Sequence, residues 1–221
     1  KAWQFEGGKL EEYGINEPRF SGKGLLIEHS TTNYAIRTKT PTTETWCQAS
    51  SEFSSRYIES NDNGLFTAKN SRDESNNWGI YSNFNTTNKD KVKYTGFGVH
   101  SHIGKDTLQV SSNTPHSYAM LNFITKEHST VGSQTVGSYL LGDVFLGEFN
   151  TLNAVAESSA GGIVDSVTYF GIFAVDSLTH SPIPTDNAPV TRLPETLTAL
   201  TDSNFTIEAD EGIQVNGNEI T

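Results

Sequence analysis

This chain has 221 residues but only one cysteine, one methionine and 15 basic side chains against 26 acidic ones. A single cysteine, Cys47, excludes an intrachain disulfide and any zinc site built on cysteines. It reads as a small buried hydrophobe. The shortage of base leaves a formal net charge of −11. That speaks against a nucleic-acid groove, which needs a basic stripe to neutralise phosphates, and against docking on anionic lipid. The acidic excess favours solubility and low self-association.

Hydrophobic residues make up 34% of the chain, and none of its apolar stretches is long. Stretches such as Tyr139–Leu146 fall far short of the ~20 residues of a membrane-spanning helix, so no membrane insertion is expected. No charged n-region with an apolar h-region and cleavage site opens the chain. Its first residue is Lys1, which reads as an internal start within a longer polypeptide. Runs of Ala, Leu, Lys and Glu are scarce, which disfavours helices. Thr151–Ser158 is the one modest helical candidate.

Several catalytic signatures are also missing. No Gly-x-Ser-x-Gly elbow and no Walker-type phosphate loop occurs. Glu208-Ala209-Asp210 begins the Glu-x-Asp-x-x-Glu pattern of a glycosidase strand, but Ile213 stands in the last place. Asp143, Glu148 and Asp165 lie in or near candidate strands and could face a concave sheet, the arrangement glycoside hydrolysis requires. No catalytic residue, metal or cofactor is assigned. His100-Ser101-His102 would set two imidazoles on one face of a strand, with Asp106 as a third ligand; polar positions at a strand end explain the same residues.

What the chain does have is glycine (19 residues), Ser, Thr and Asn distributed as punctuation between short β-prone segments. The expected strands are Arg56–Glu59, Leu65–Lys69, Trp78–Asn83, Lys91–His100, Thr107–Ser111, Ser117–Thr125, Tyr139–Phe149 and Val164–Val175. Short strands at regular spacing point to an all-β chain folded as a jelly-roll β-sandwich. In Val164–Val175, Val167, Tyr169, Phe173 and Val175 alternate with Phe170 and Ile172, so both faces of that strand are expected to be buried. Leu25-Leu26-Ile27 reads as a short buried strand.

The layout divides into an extended N-terminal segment (1–40), the sandwich (41–181), and a C-terminal extension (182–221). The extension opens as a stiff connector holding four of the seven prolines, Pro182, Pro184, Pro189 and Pro194. It ends in an alternating stretch where Asn216-Gly217 signals a hairpin. A lone hairpin is marginal in water, so this end is expected to pair with other chains.

Two motif groups bracket the β-rich middle. The first is Asn16-Glu17-Pro18-Arg19-Phe20, Gly24-Leu25-Leu26-Ile27-Glu28 and Thr32-Asn33. The second is Ser181-Pro182-Ile183-Pro184-Thr185 and Val190-Thr191-Arg192. In this order and at this separation the chain resembles bacteriophage tail and tail-fibre proteins that carry a carbohydrate-binding-module-like, lectin-like β-sandwich. Gly212-Ile213-Gln214-Val215-Asn216-Gly217 also resembles repeats of tail-fibre shafts. Three departures are visible. The arginine usual before Thr32-Asn33 is missing, Pro182 replaces a tyrosine, and Leu193-Pro194-Glu195 replaces a small-small-Asp run. The motifs are scaffold rather than site, so the resemblance transfers no ligand residue.

The resemblance implies a virion structural protein of a phage tail or fibre, homotrimeric, working with other tail proteins and contributing to attachment to bacterial surface polysaccharide. A glycan depolymerase and a purely architectural decoration domain are the alternatives. Within the motifs, Glu28 and Arg192 are candidates for a pair tying the incoming strand to the outgoing one; two separate solvated charges are the other reading. Sugar recognition needs aromatics to stack on sugar faces and amides to bind hydroxyls. Trp46, Tyr57, Trp78, Tyr81 and Asn83 supply those types, with the Asn-rich stretch 70–88 as the candidate contact surface.

Overall fold

The structure is a computed structural model. It describes residues 1–14, 17–21, 24–46, 56–61, 63–70, 78–82, 88, 90–104, 106–114, 117–132, 137–149, 152–156, 164–195, 205–208, 212–215 and 218–220.

The chain is all-β. In order, its strands are β1 (Ala2–Glu6), β2 (Lys9–Tyr13), β3 (Phe20–Ser21), β4 (Gly24–Leu25), β5 (Thr31–Asn33), β6 (Arg56–Ser60), β7 (Phe66–Asn70), β8 (Trp78–Ser82), β9 (Tyr94–Gly104), β10 (Thr107–Thr114), β11 (Ser117–Asn122), β12 (His128–Val131), β13 (Ser138–Leu141), β14 (Val144–Gly147), β15 (Leu152–Ala156), β16 (Val164–Val175), β17 (Val190–Arg192), β18 (Phe205–Glu208), β19 (Gly212–Val215) and β20 (Asn218–Ile220). The one α-helical turn among the described residues is α1 (Thr43–Trp46). Among those residues, no helix is long and apolar enough to cross a membrane.

Two antiparallel sheets form a sandwich-like body. One has the order β12-β11-β10-β15-β8. The other runs β13-β14-β9-β16-β5-β17, with β7 joining β16 and β6 joining β7. Between them lies an apolar core that includes Phe97, Val99, Leu108, Leu121, Phe145, Val167, Tyr169 and Ile172. The outer face of the larger sheet carries a second core of Leu65, Val144, Leu146, Phe170, Phe173 and Val175, with Phe5 of the β1–β2 hairpin packed against it. Burial on both faces explains why β16 reads as a nearly continuous apolar run.

The expectation for β16 holds in its main point, with a change of parity. Val167 and Tyr169 share the inner core with Ile172 and Ala174, whereas Phe170 lies with Phe173 and Val175 on the outer one. The register against β9 shifts between Thr168 and Tyr169 and again between Tyr169 and Gly171. Such irregularities insert an extra residue and exchange the faces beyond it. Phe170 fits because Gly98 on β9 has no side chain: a Cβ there would stand 2.3 Å from the ring.

Four expectations change. Tyr139–Phe149 is not one strand but the hairpin β13–β14, with Leu141 paired to Val144 across a two-residue turn. Gly142 opens that turn at φ 65°, a conformation glycine adopts without strain. Within Thr151–Ser158, the described residues Leu152–Ala156 are strand instead of helix, because β15 is hydrogen-bonded between β8 and β10 and pairing overrides weak helical propensity. Leu25 and Leu26 are only half-buried and Ile27 is exposed. Residues 1–40 are more than an extended segment: they form two hairpins, and β5 joins the large sheet between β16 and β17.

The C-terminal hairpin is present, since Val215 pairs with Asn218 across residues 216–217. β18 adds to it, giving a separate three-stranded sheet.

Candidate functional site

The bracketing motifs meet. Arg19 stands just before β3, Glu28 between β4 and β5, and Arg192 at the end of β17. All three are buried, Arg19 at 1% exposure. The Arg19 guanidinium donates to Glu28 Oε2 (2.9 Å), to Glu195 Oε1 (2.6 Å), to the Ser181 hydroxyl (2.6 Å) and to the Trp3 carbonyl (2.9 Å). Arg192 reaches the same Glu28 oxygen at 2.9 Å and donates to Thr179 Oγ1 and the His29 carbonyl. The other oxygen of Glu28 accepts from the Thr179 hydroxyl and from the backbone N–H groups of His180 and Ser181. Two arginines thus face two glutamates, and the cluster is neutral as a whole.

Burial alone would raise the Glu28 carboxyl. Arg192, the hydrogen bonds at Ser181 and His180, and Arg19 more than reverse that and lower it from 4.5 to about 2. Burial pushes the Arg192 guanidinium down, opposed chiefly by Glu28.

The expected Glu28–Arg192 pair is therefore present, and it is half of a larger device. Arg19 and Glu195 were missed as partners. A single buried carboxylate facing two arginines leaves an excess cation, and that imbalance is the signal that another acid was needed. Glu195 supplies it. Its carboxylate also accepts the N–H of Glu28, whose carbonyl accepts the N–H of Glu195.

A second polar knot extends this clasp. Asn33, fully buried, donates from Nδ2 to the Ile172 and Ile183 carbonyls and accepts the Ala35 and Ala174 N–H groups on Oδ1. All four hydrogen-bonding positions of the amide are filled. Thr185 donates to the Ala35 carbonyl and exchanges bonds with Thr38.

Of the sequence-derived sugar contacts, Trp46 is the one whose side chain is among those described. Trp46 is a correction: it is 2% exposed within the inner core and its indole N–H donates to the Arg37 carbonyl, so it offers no face to a ligand. Tyr57 lies on β6, and Trp78 and Tyr81 lie on β8, an edge strand of the five-stranded sheet. Asn83 and most of the stretch 70–88 lie outside the described residues, as does Cys47.

The two histidines separate. His100 packs edge-on against Phe5 on the outer face, while His102 stacks on Phe123 of the inner core. The β9–β16 irregularity at Val99–Ser101 breaks the period-two placement that would have aligned them. Asp106 does approach His102, at 3.5 Å. Among the described residues no group of three or more such side chains could hold a metal.

Of the candidate acids, Asp143 pairs with Lys126 at 3.3 Å on the surface and Glu148 accepts the Tyr139 hydroxyl. Asp165 is on β16.

No protein-family model matches the chain, and no curated protein is similar to it.

Proposed function

We propose that the chain is a virion structural protein, a segment of a phage tail fibre or tail-associated protein, whose jelly-roll sandwich contributes to attachment to bacterial surface polysaccharide. The observation that carries this reading is the convergence of the two bracketing motifs on one buried charge cluster. Fastening the incoming segment to the outgoing one makes the sandwich a side-borne module. A fibre can carry such a module while its loops remain free to meet a surface.

The homotrimer and the association with other tail proteins rest on the C-terminal sheet. Its register pairs Phe205 with Val215, Ile207 with Ile213, and Ile213 with Ile220. Cross-strand partners share a face, so by register these five positions fall on one face of the sheet. A one-sided apolar sheet needs a cover, and copies of itself around a threefold axis provide one.

The test is glycan binding by the whole chain on an array of bacterial polysaccharides, with product analysis of every hit and light scattering for mass. Binding without cleavage by a trimer is the expected result. Cleavage transfers the function to a depolymerase. Silence on every glycan leaves an architectural piece, and a monomeric mass removes the trimer.

A further inference from the structure

A groove of about 250 Å³ lies between the β1–β2 hairpin and the outgoing segment, lined among others by Trp3, Glu12, Lys39, Pro184, Asp186 and Thr191. We propose that this groove is a sugar-binding subsite accepting one or two rings of a neutral surface polysaccharide. The proposal rests on the attachment reading and gives it a place.

Size, shape and lining chemistry agree. The volume lies below the ~300–1,000 Å³ of sites for drug-sized ligands, as suits one or two sugar rings. An indole supplies an apolar face for stacking on a pyranose. Around it stand ammonium, carboxylate and hydroxyl groups of the kinds that bind sugar hydroxyls. Trp3 and Glu12 are direct cross-strand partners, which places the aromatic beside a carboxylate. The charges balance: Lys1 and Lys39 oppose Glu12 and Asp186, Lys1 forms an ion pair with Glu12, and Arg192 is already committed to Glu28. A balanced lining gives no preference for a uronate and selects a neutral ring.

The walls are also fixed beforehand. The hairpin is held by the bond from Arg19 to the Trp3 carbonyl and by Phe5 stacked on Phe170 at 4.2 Å. The opposite wall is held by Thr185 on Ala35 and Thr38, and by the pairing of β17 with β5. Rigid walls reduce the ordering entropy lost when a ligand binds.

The experiment titrates the whole chain with di- to tetrasaccharides of bacterial capsule and lipopolysaccharide, neutral and uronate-bearing, by calorimetry and tryptophan emission. Neutral oligosaccharides are expected to bind. Trp3→Ala should weaken them at least tenfold. Trp3→Phe should keep most of the affinity but lose the emission change. Val190→Trp fills the groove from the exposed edge strand β17 and leaves the hairpin untouched; it should abolish binding at an unchanged melting temperature. Wild-type affinity in both Trp3→Ala and Val190→Trp overturns the subsite and leaves the attachment reading standing on another surface. Binding of uronate-bearing sugars alone overturns the neutral class. Binding of no sugar overturns both the subsite and the reading beneath it.

Discussion

Between the two sheets, Phe97, Phe145, Val167 and Ile172 are excluded from water and held by area and shape. At the clasp, Arg19, Glu28 and Arg192 are nearly as buried and are held by charge and directed hydrogen bonds. The apolar interior is non-directional and tolerates exchange among side chains of similar volume. The clasp tolerates almost none, because every lost partner leaves a charge without compensation in a dry site.

The sharpest way to break this contrast is Glu28→Gln. It leaves two buried arginines facing one carboxylate, and denaturant titration should show a loss of about 3–5 kcal/mol. The next effect is on acid stability. Because the folded Glu28 carboxyl lies at about 2, below an ordinary 4.5, its contribution is complete above pH 4.5 and drains away as pH falls toward 2. The loss over that window should be about 3 kcal/mol, and Glu28→Gln should flatten it. An acid profile identical in the variant and the native chain would remove Glu28 as its source.

Overfilling probes the apolar side. Gly98→Ala drives a methyl into the Phe170 ring and should destabilise by ~1–3 kcal/mol, with a changed near-ultraviolet spectrum. Ile172→Leu, which keeps volume in the inner core, should stay below ~1.5 kcal/mol. Smallest of all, Lys126→Ala removes an exposed pair with Asp143 and should change stability by ~0–1 kcal/mol, less in high salt. A larger effect there would blur the distinction between dry and solvated ion pairs.

The all-β architecture and the burial of both faces of β16 were legible because they depend on composition and local alternation. Parity within β16 was not, since the irregularity at Phe170 is set by its packing over Gly98, across the sheet. The β13–β14 hairpin was legible in Gly142-Asp143, a dipeptide suited to a two-residue turn. It was hidden by the continuous apolar run around it. Trp46 was misplaced because sequence does not separate an indole that meets a ligand from one that finishes a core. The Glu28–Arg192 pair was readable from motif order; Arg19 and Glu195 required counting charges against a dry interior.

The clasp brings residues 19 and 195 within one hydrogen bond of each other, so the intervening chain is almost a closed ring. A ring can be opened elsewhere. Joining these two positions by a short linker and cutting between the exposed Asn63 and Gly64 should give a permuted chain with the same sandwich. The same adjacency sets a path for tension: a pull applied at residues 19 and 195 crosses the Arg19–Glu195 bridge first, and the two sheets bear load only after it parts.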